Sequence, residues 1–281
     1  MRIWPLLKET FKEYLADEAP RLGAALAFYT VFSLPALLIL VIAVAGLAFG
    51  MEAAQGQIVG EFRGFVGEDA ARTLQEIIDS ARKPEAGIIA TIVGLVTLLI
   101  GATGVFGELE EALNKVWNVK KEEGFSFLGL IRSRFLSFSL ILGTGFLLLV
   151  SLVVSAAVAA LGKFSNQLFP GFEAVLQLAN AGLSLVVITV LFAMIYKFLP
   201  RVKVAWKDVW VGAFLATALF TLGKSLIALY IGKSGVASTY GAAGSLVVIL
   251  VWVYFSAQVF LLGAEFTQVY ARHHGSRKNN A

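Results

Sequence analysis

Six stretches of the chain carry apolar runs long enough to cross a bilayer, over about 22–49, 87–107, 135–161, 178–199, 209–231 and 242–270. A hydrocarbon core is crossed by roughly 20 apolar residues at ~1.5 Å of helix rise each, so every run predicts a transmembrane helix. The last run is the most patterned. From Ala242 to Ala264 it holds no charge, yet Tyr254, Gln258, Leu261, Glu265, Gln268 and Arg272 follow at intervals of 4, 3, 4, 3 and 4. That spacing keeps them on one helix face. A carboxylate at Glu265 against lipid is costly, so this face turns toward other helices or water, unless Glu265 simply ends the span among headgroups.

The other runs carry fewer polar marks. In the second, Gly94, Thr97, Gly101, Gly104, Glu108, Glu111 and Lys115 recur at alternating steps of 3 and 4. Small residues on such a stripe let two backbones approach within lipid, so the glycines read as packing positions. Glu108 continues the stripe and needs a cation or water; Arg21, at the same end, is its expected partner. In the first run Leu22, Leu26, Tyr29 and Ser33 share a face, beside Gly23, Ala24, Ala25 and Ala27. Arg21 at its mouth either snorkels at the interface or meets a ligand. The fifth run contains Lys224, roughly 10 Å from its outer end at ~1.5 Å per residue, with Thr217 and Thr221 on its face. A lysine there snorkels outward or points into a polar cavity.

Ahead of the first run, Trp4, Leu7, Phe11 and Tyr14 recur at helical spacing among Lys8, Glu9, Lys12 and Glu13. Residues 1–21 thus predict an amphipathic helix that lies on the headgroups or packs on the bundle. The loop over 51–86 has seven acidic residues against four basic ones, and its Ala70, Leu74, Ile77, Ile78 and Ala81 suggest a short amphipathic helix. Of the 23 lysines and arginines, sixteen fall in the amino-terminal segment, the second and fourth loops and the tail over 272–281, against six on the alternate loops. By the positive-inside rule both termini are cytoplasmic and the loop over 51–86 is external. Six spans so oriented form two halves of three with opposite topology, an arrangement many transporters use, although the halves are not similar in sequence.

Composition agrees. With 58% hydrophobic and 15% charged residues, and a mean hydropathy of +0.80, the chain reads as an all-α integral membrane protein. It has no cysteine, so thiolate metal sites and thiol nucleophiles are excluded. The net charge of +4 is dispersed over loops rather than gathered in a stripe, which argues against a nucleic-acid partner. The two histidines, His273 and His274, sit on the basic tail, and no GxxxxGK[ST] loop occurs. No cofactor and no metal site are expected.

Three stretches carry a family resemblance. They are Arg21 to Tyr29 (RLGAALAFY), Phe198-Leu199-Pro200 leading into Trp206, and the segment with Thr239-Tyr240-Gly241, Trp252, Tyr254 and Gly263-Ala264-Glu265-Phe266. In that order they resemble the YihY/BrkB membrane-protein family, once labelled ribonuclease BN. The resemblance implies a multi-pass protein of the bacterial inner membrane, of uncertain function, with transport-like roles suspected. The ribonuclease label finds little in the residues, because metal-dependent RNA cleavage needs clustered His and Asp ligands and the spans contain no histidine. An enzyme is therefore not expected.

What the spans offer is a sparse set of ionisable and polar groups at two depths. Arg21, Glu108 and Glu265 lie near the cytoplasmic boundary, while Lys224 lies toward the outer leaflet. Such a set suits a substrate with an apolar body and an anionic head, so a transporter or flippase of a lipid or other anionic amphiphile is expected. Arg21, Tyr29, Glu108, Lys224, Tyr254, Gln258 and Glu265 are its candidate binding or coupling residues, and membrane lipids its expected partners. The alternative is a non-transporting scaffold, in which the small-residue stripes join helices or copies of the chain as a homo-oligomer and the charges only set topology.

Overall fold

The structure, a computed structural model, describes residues 3–66, 68–81, 104–119, 172–234 and 244–277. Among these the chain is entirely helical, without strands. Its helices are α1 (Ile3–Ala16), α2 (Ala19–Phe49), α3 (Met51–Val66), α4 (Glu68–Ala81), α5 (104–116), α6 (Phe172–Phe198), α7 (Trp206–Ser234) and α8 (Gly244–His273). Three contain segments long and apolar enough to cross a membrane: Ala181–Phe198, Trp206–Ile227 and Leu246–His273. The expected span over 135–161, and that over 87–107 except its last four residues, lie outside the described residues.

Helices in lipid gain little from apolar contact alone, since lipid tails are as apolar as leucine; close backbone approach and interhelical hydrogen bonds hold them instead. The last three helices use both. A side chain on Gly212 of α7 would run into Thr267 of α8, and one on Gly223 would run into the Phe255 ring. On α8, a Cβ at Gly263 would stand 2.6 Å from both the Ala216 Cβ and the Tyr196 hydroxyl. Tyr196 of α6 is fully buried, and its hydroxyl donates to the Phe260 carbonyl of α8 at 2.6 Å. Thr189 of α6 bonds Thr217 of α7 at 3.0 Å. Around these contacts lies a core of Ala193, Ala213, Ala216, Ala257, Leu261 and Ala264, joined by Leu22 and Leu26 of α2 and Leu113 and Val116 of α5.

The amino-terminal segment closes over one end of this group. The periodicity over 1–21 predicts one helix, but α1 stops at Ala16 and α2 begins at Ala19. Between them Glu18 takes a left-handed backbone (φ 56°, ψ 37°), and Pro20 falls in the first turn of α2, where its missing N–H costs nothing. On α1, Leu6 packs against Phe266 and Val269 of α8, and Thr10 is buried; Trp4, Phe11 and Leu15 remain exposed. At the far end of α2, α3 and α4 add a small cluster in which Ile42 meets Val59, Ala71 and Ile78.

Candidate functional site

The patterned face of α8 is where α1, α2 and the turn between them converge. Gln258 lies against Gly23 of α2, which has no side chain to keep it off, and its Oε1 accepts a hydrogen bond from the Tyr14 hydroxyl of α1. Burial, with Tyr254 nearby, pushes the Tyr14 phenol up to about 12. Two turns further along α8, Glu265 is 0% exposed, and neither of its oxygens has a hydrogen-bond donor. The group facing it is a second carboxyl, Asp17. Burial pushes the Asp17 carboxyl up, opposed by the interaction with Glu265 and by Lys115, and assisted by Glu13. Gln268, on the same face of α8, is nearly buried, and its Oε1, like one oxygen of Asp17, has no hydrogen-bond partner. One turn beyond it, Arg272 binds Glu9 at 2.9 Å and Glu13 at 3.0 Å, and His273 meets Glu9 at 2.7 Å.

The remaining candidates divide between this site and other places. Arg21 pairs with Glu18 at 2.6 Å, not with the expected Glu108, because the left-handed turn at Glu18 brings that carboxylate next to the start of α2. Lys115 of α5 shares the same Glu18 oxygen at 3.0 Å. Glu108 is half-buried on α5, and the carboxylate of that helix that pairs with an arginine is instead the buried Glu110, 2.6 Å from Arg201. Tyr29 is exposed on α2 and Tyr254 on α8. Lys224 is exposed on α7 among the exposed Leu222, Leu226 and Leu229. It stands sixteen residues past Asp208, roughly 24 Å along the helix at ~1.5 Å per residue. Asp208 in turn accepts hydrogen bonds from the Ser276 N–H (3.0 Å) and hydroxyl (2.7 Å), which ties the start of α7 to the segment after α8. Gly223, next to Lys224, lies against Phe255 of α8, ten residues before Glu265, so Lys224 and Glu265 are offset by roughly 15 Å along the helices at ~1.5 Å per residue.

Two acidic residues escaped the sequence pattern. Asp17 lies in the turn between two helices, where periodicity says nothing; Pro20, a helix-start signal, marks that a turn precedes it. Glu110 sits off the 3,4 stripe that draws attention to Glu108. Among the described residues no three His, Cys, Asp or Glu side chains converge as metal ligands.

Long apolar helices, close glycine contacts and buried polar groups at helix ends define an all-helical membrane protein. The family model described as virulence factor BrkB matches residues 10–281, and the chain belongs to that family. It is 32% identical, over 63% of its length, to a UPF0761 membrane protein of Pseudoalteromonas translucida, and the match takes in 57% of that protein. With a UPF0761 membrane protein of Azotobacter vinelandii it shares 28% identity over 91% of this chain and 60% of the relative. With the ribonuclease-like protein YfkH of Bacillus subtilis it shares 24% over 92% of each chain. The chain thus spans little more than half the length of some relatives it matches. No solved structure matches it.

Proposed function

We propose that this chain is a transporter or flippase of an anionic lipid or similar amphiphile in the bacterial cytoplasmic membrane, crossing it several times with both termini inside. The observation that carries the reading is Lys224, a cation exposed among leucines on a membrane-length helix. An ammonium there attracts an anionic headgroup while the acyl chains stay in lipid, which lowers the cost of moving the head inward. Arg21, exposed at the start of α2, offers a second cation for which the head competes with Glu18.

The test is headgroup translocation in vesicles reconstituted with the purified chain, using a fluorescent anionic lipid and a membrane-impermeant quencher. Wild type is expected to move the probe faster than empty vesicles, and Lys224→Ala to lose most of that rate. Unaltered rates in the variant would remove Lys224 from the mechanism. A second reading, a non-transporting scaffold, is favoured by the mutual pairing of Glu9, Glu13 and Arg272 and of Glu18 with Arg21 and Lys115. Wild-type vesicles no faster than empty ones would support it.

A further inference from the structure

Glu265 presents an electrostatic problem that its neighbours do not solve. Its side chain is 0% exposed, neither oxygen meets an N–H or O–H, and the group facing it is the carboxyl of Asp17, itself with one oxygen lacking a donor. Two carboxylates cannot hydrogen-bond each other, whereas an acid and a carboxylate can, because the acid supplies the O–H. Two bare charges facing each other away from water would repel.

Among the described residues, the charges around the pair leave it short of cations. From α1, Glu13 adds a third carboxyl. Arg272 of α8 is the cation that acts on Glu265, but it holds Glu9 and Glu13 through one nitrogen at 2.9 and 3.0 Å, and its buried Nε donates to neither Glu265 nor any other acceptor. From α5, Lys115 acts on Asp17 yet lies 3.0 Å from Glu18, which Arg21 of α2 also binds. Tyr14 gives its hydroxyl hydrogen to Gln258, and the Tyr196 hydroxyl of α6 gives its own to Phe260. His273 faces Glu9, further out.

We propose that Asp17 and Glu265 bind one proton between them, and that this proton fastens the amino-terminal segment to the last membrane helix. When it leaves to water, the two carboxylates repel and α1 loosens from α8. Burial already pushes the Asp17 carboxyl above its ordinary 3.8, so the docked form holds the proton more tightly than the free segment does. Docking is therefore complete below that ordinary value and is lost as pH rises through the raised one.

The full chain in lipid nanodiscs is titrated with pH while infrared difference spectra follow protonated carboxyl groups and hydrogen exchange follows residues 3–16. A protonated-carboxyl band is expected in wild type and absent from both Asp17→Asn and Glu265→Gln. After correction for the intrinsic base-catalysed rate, exchange in α1 should rise about tenfold per pH unit once the proton is being lost. It should stay flat in Glu265→Gln, whose amide supplies a donor without titrating. Flat wild-type exchange, or a wild-type pH response in Glu265→Gln, overturns the proposal. So does protection that follows sodium or potassium concentration without a protonated band, which would make the pair a metal-cation site. Should Glu265→Gln fail to fold, Asp17→Asn, at the less buried partner, makes the same test.

Discussion

Replacing Gly263 by alanine should separate the last three helices. The new Cβ would lie 2.6 Å from the Ala216 Cβ and 2.6 Å from the Tyr196 hydroxyl, where carbon contacts ordinarily sit at ~3.5–4.0 Å. The helices must move apart by roughly 1 Å, which also breaks the 2.6 Å bond from Tyr196 to the Phe260 carbonyl. Overpacking costs about 1–3 kcal/mol and a stranded buried hydroxyl about 1–3 kcal/mol more. At ~2–4 °C per kcal/mol, the loss is on the order of 10 °C in Tm. Tryptophan fluorescence during heating in detergent measures it. Gly182→Ala is the control, because a Cβ there meets nothing within 4 Å and should stabilise α6 by ~0.5–1 kcal/mol. Adding Tyr196→Phe to Gly263→Ala should recover part of the loss by removing the clashing oxygen. A Gly263→Ala protein that melts with wild type would refute the packing argument.

Three further outcomes follow from named contacts. Arg201→Ala should destabilise by about 1–3 kcal/mol, less than a fully buried pair because Arg201 is half-exposed, and Glu110→Gln in the same background should restore part of it in thermal melts. Asp208→Ala removes the acceptor of both Ser276 bonds, so trypsin should cut at Arg277 several-fold faster while α7 and α8 stay intact by mass spectrometry. The Tyr14 phenol, pushed up to about 12, contributes stability that is full below its ordinary 10.0 and lost as pH rises through 12. Ultraviolet difference titration of wild type against Tyr14→Phe should show one phenol ionising late.

The 3,4 spacing on α8 exposed the site to sequence reading because one helix carries Gln258, Glu265 and Arg272 in fixed register. Turning that line toward other helices followed from the cost of a carboxylate in lipid, and Glu265 is indeed buried. Identifying what it faces was beyond periodicity. Asp17, which faces Glu265, sits in the break between α1 and α2 at Glu18, a non-glycine residue in a left-handed conformation that composition does not announce. The same turn gave Arg21 a nearer carboxylate than Glu108. Gly212 looked like any other glycine in an apolar run, and Gly263 stood out only within the stretch that carries the family resemblance; their packing role emerges only when Thr267 and Tyr196 arrive from elsewhere in the chain.

The contacts among Tyr196, Gly212, Gly223 and Gly263 leave no slack for sliding. Any larger rearrangement of the group must therefore swing α6, α7 and α8 as a single block. Such a block would part from α1 and α2 where Gln258 rests on bare backbone at Gly23, and to do so it must release the Tyr14 hydroxyl, the Leu6 contact with Phe266 and Val269 and the Arg272 pairs with Glu9 and Glu13.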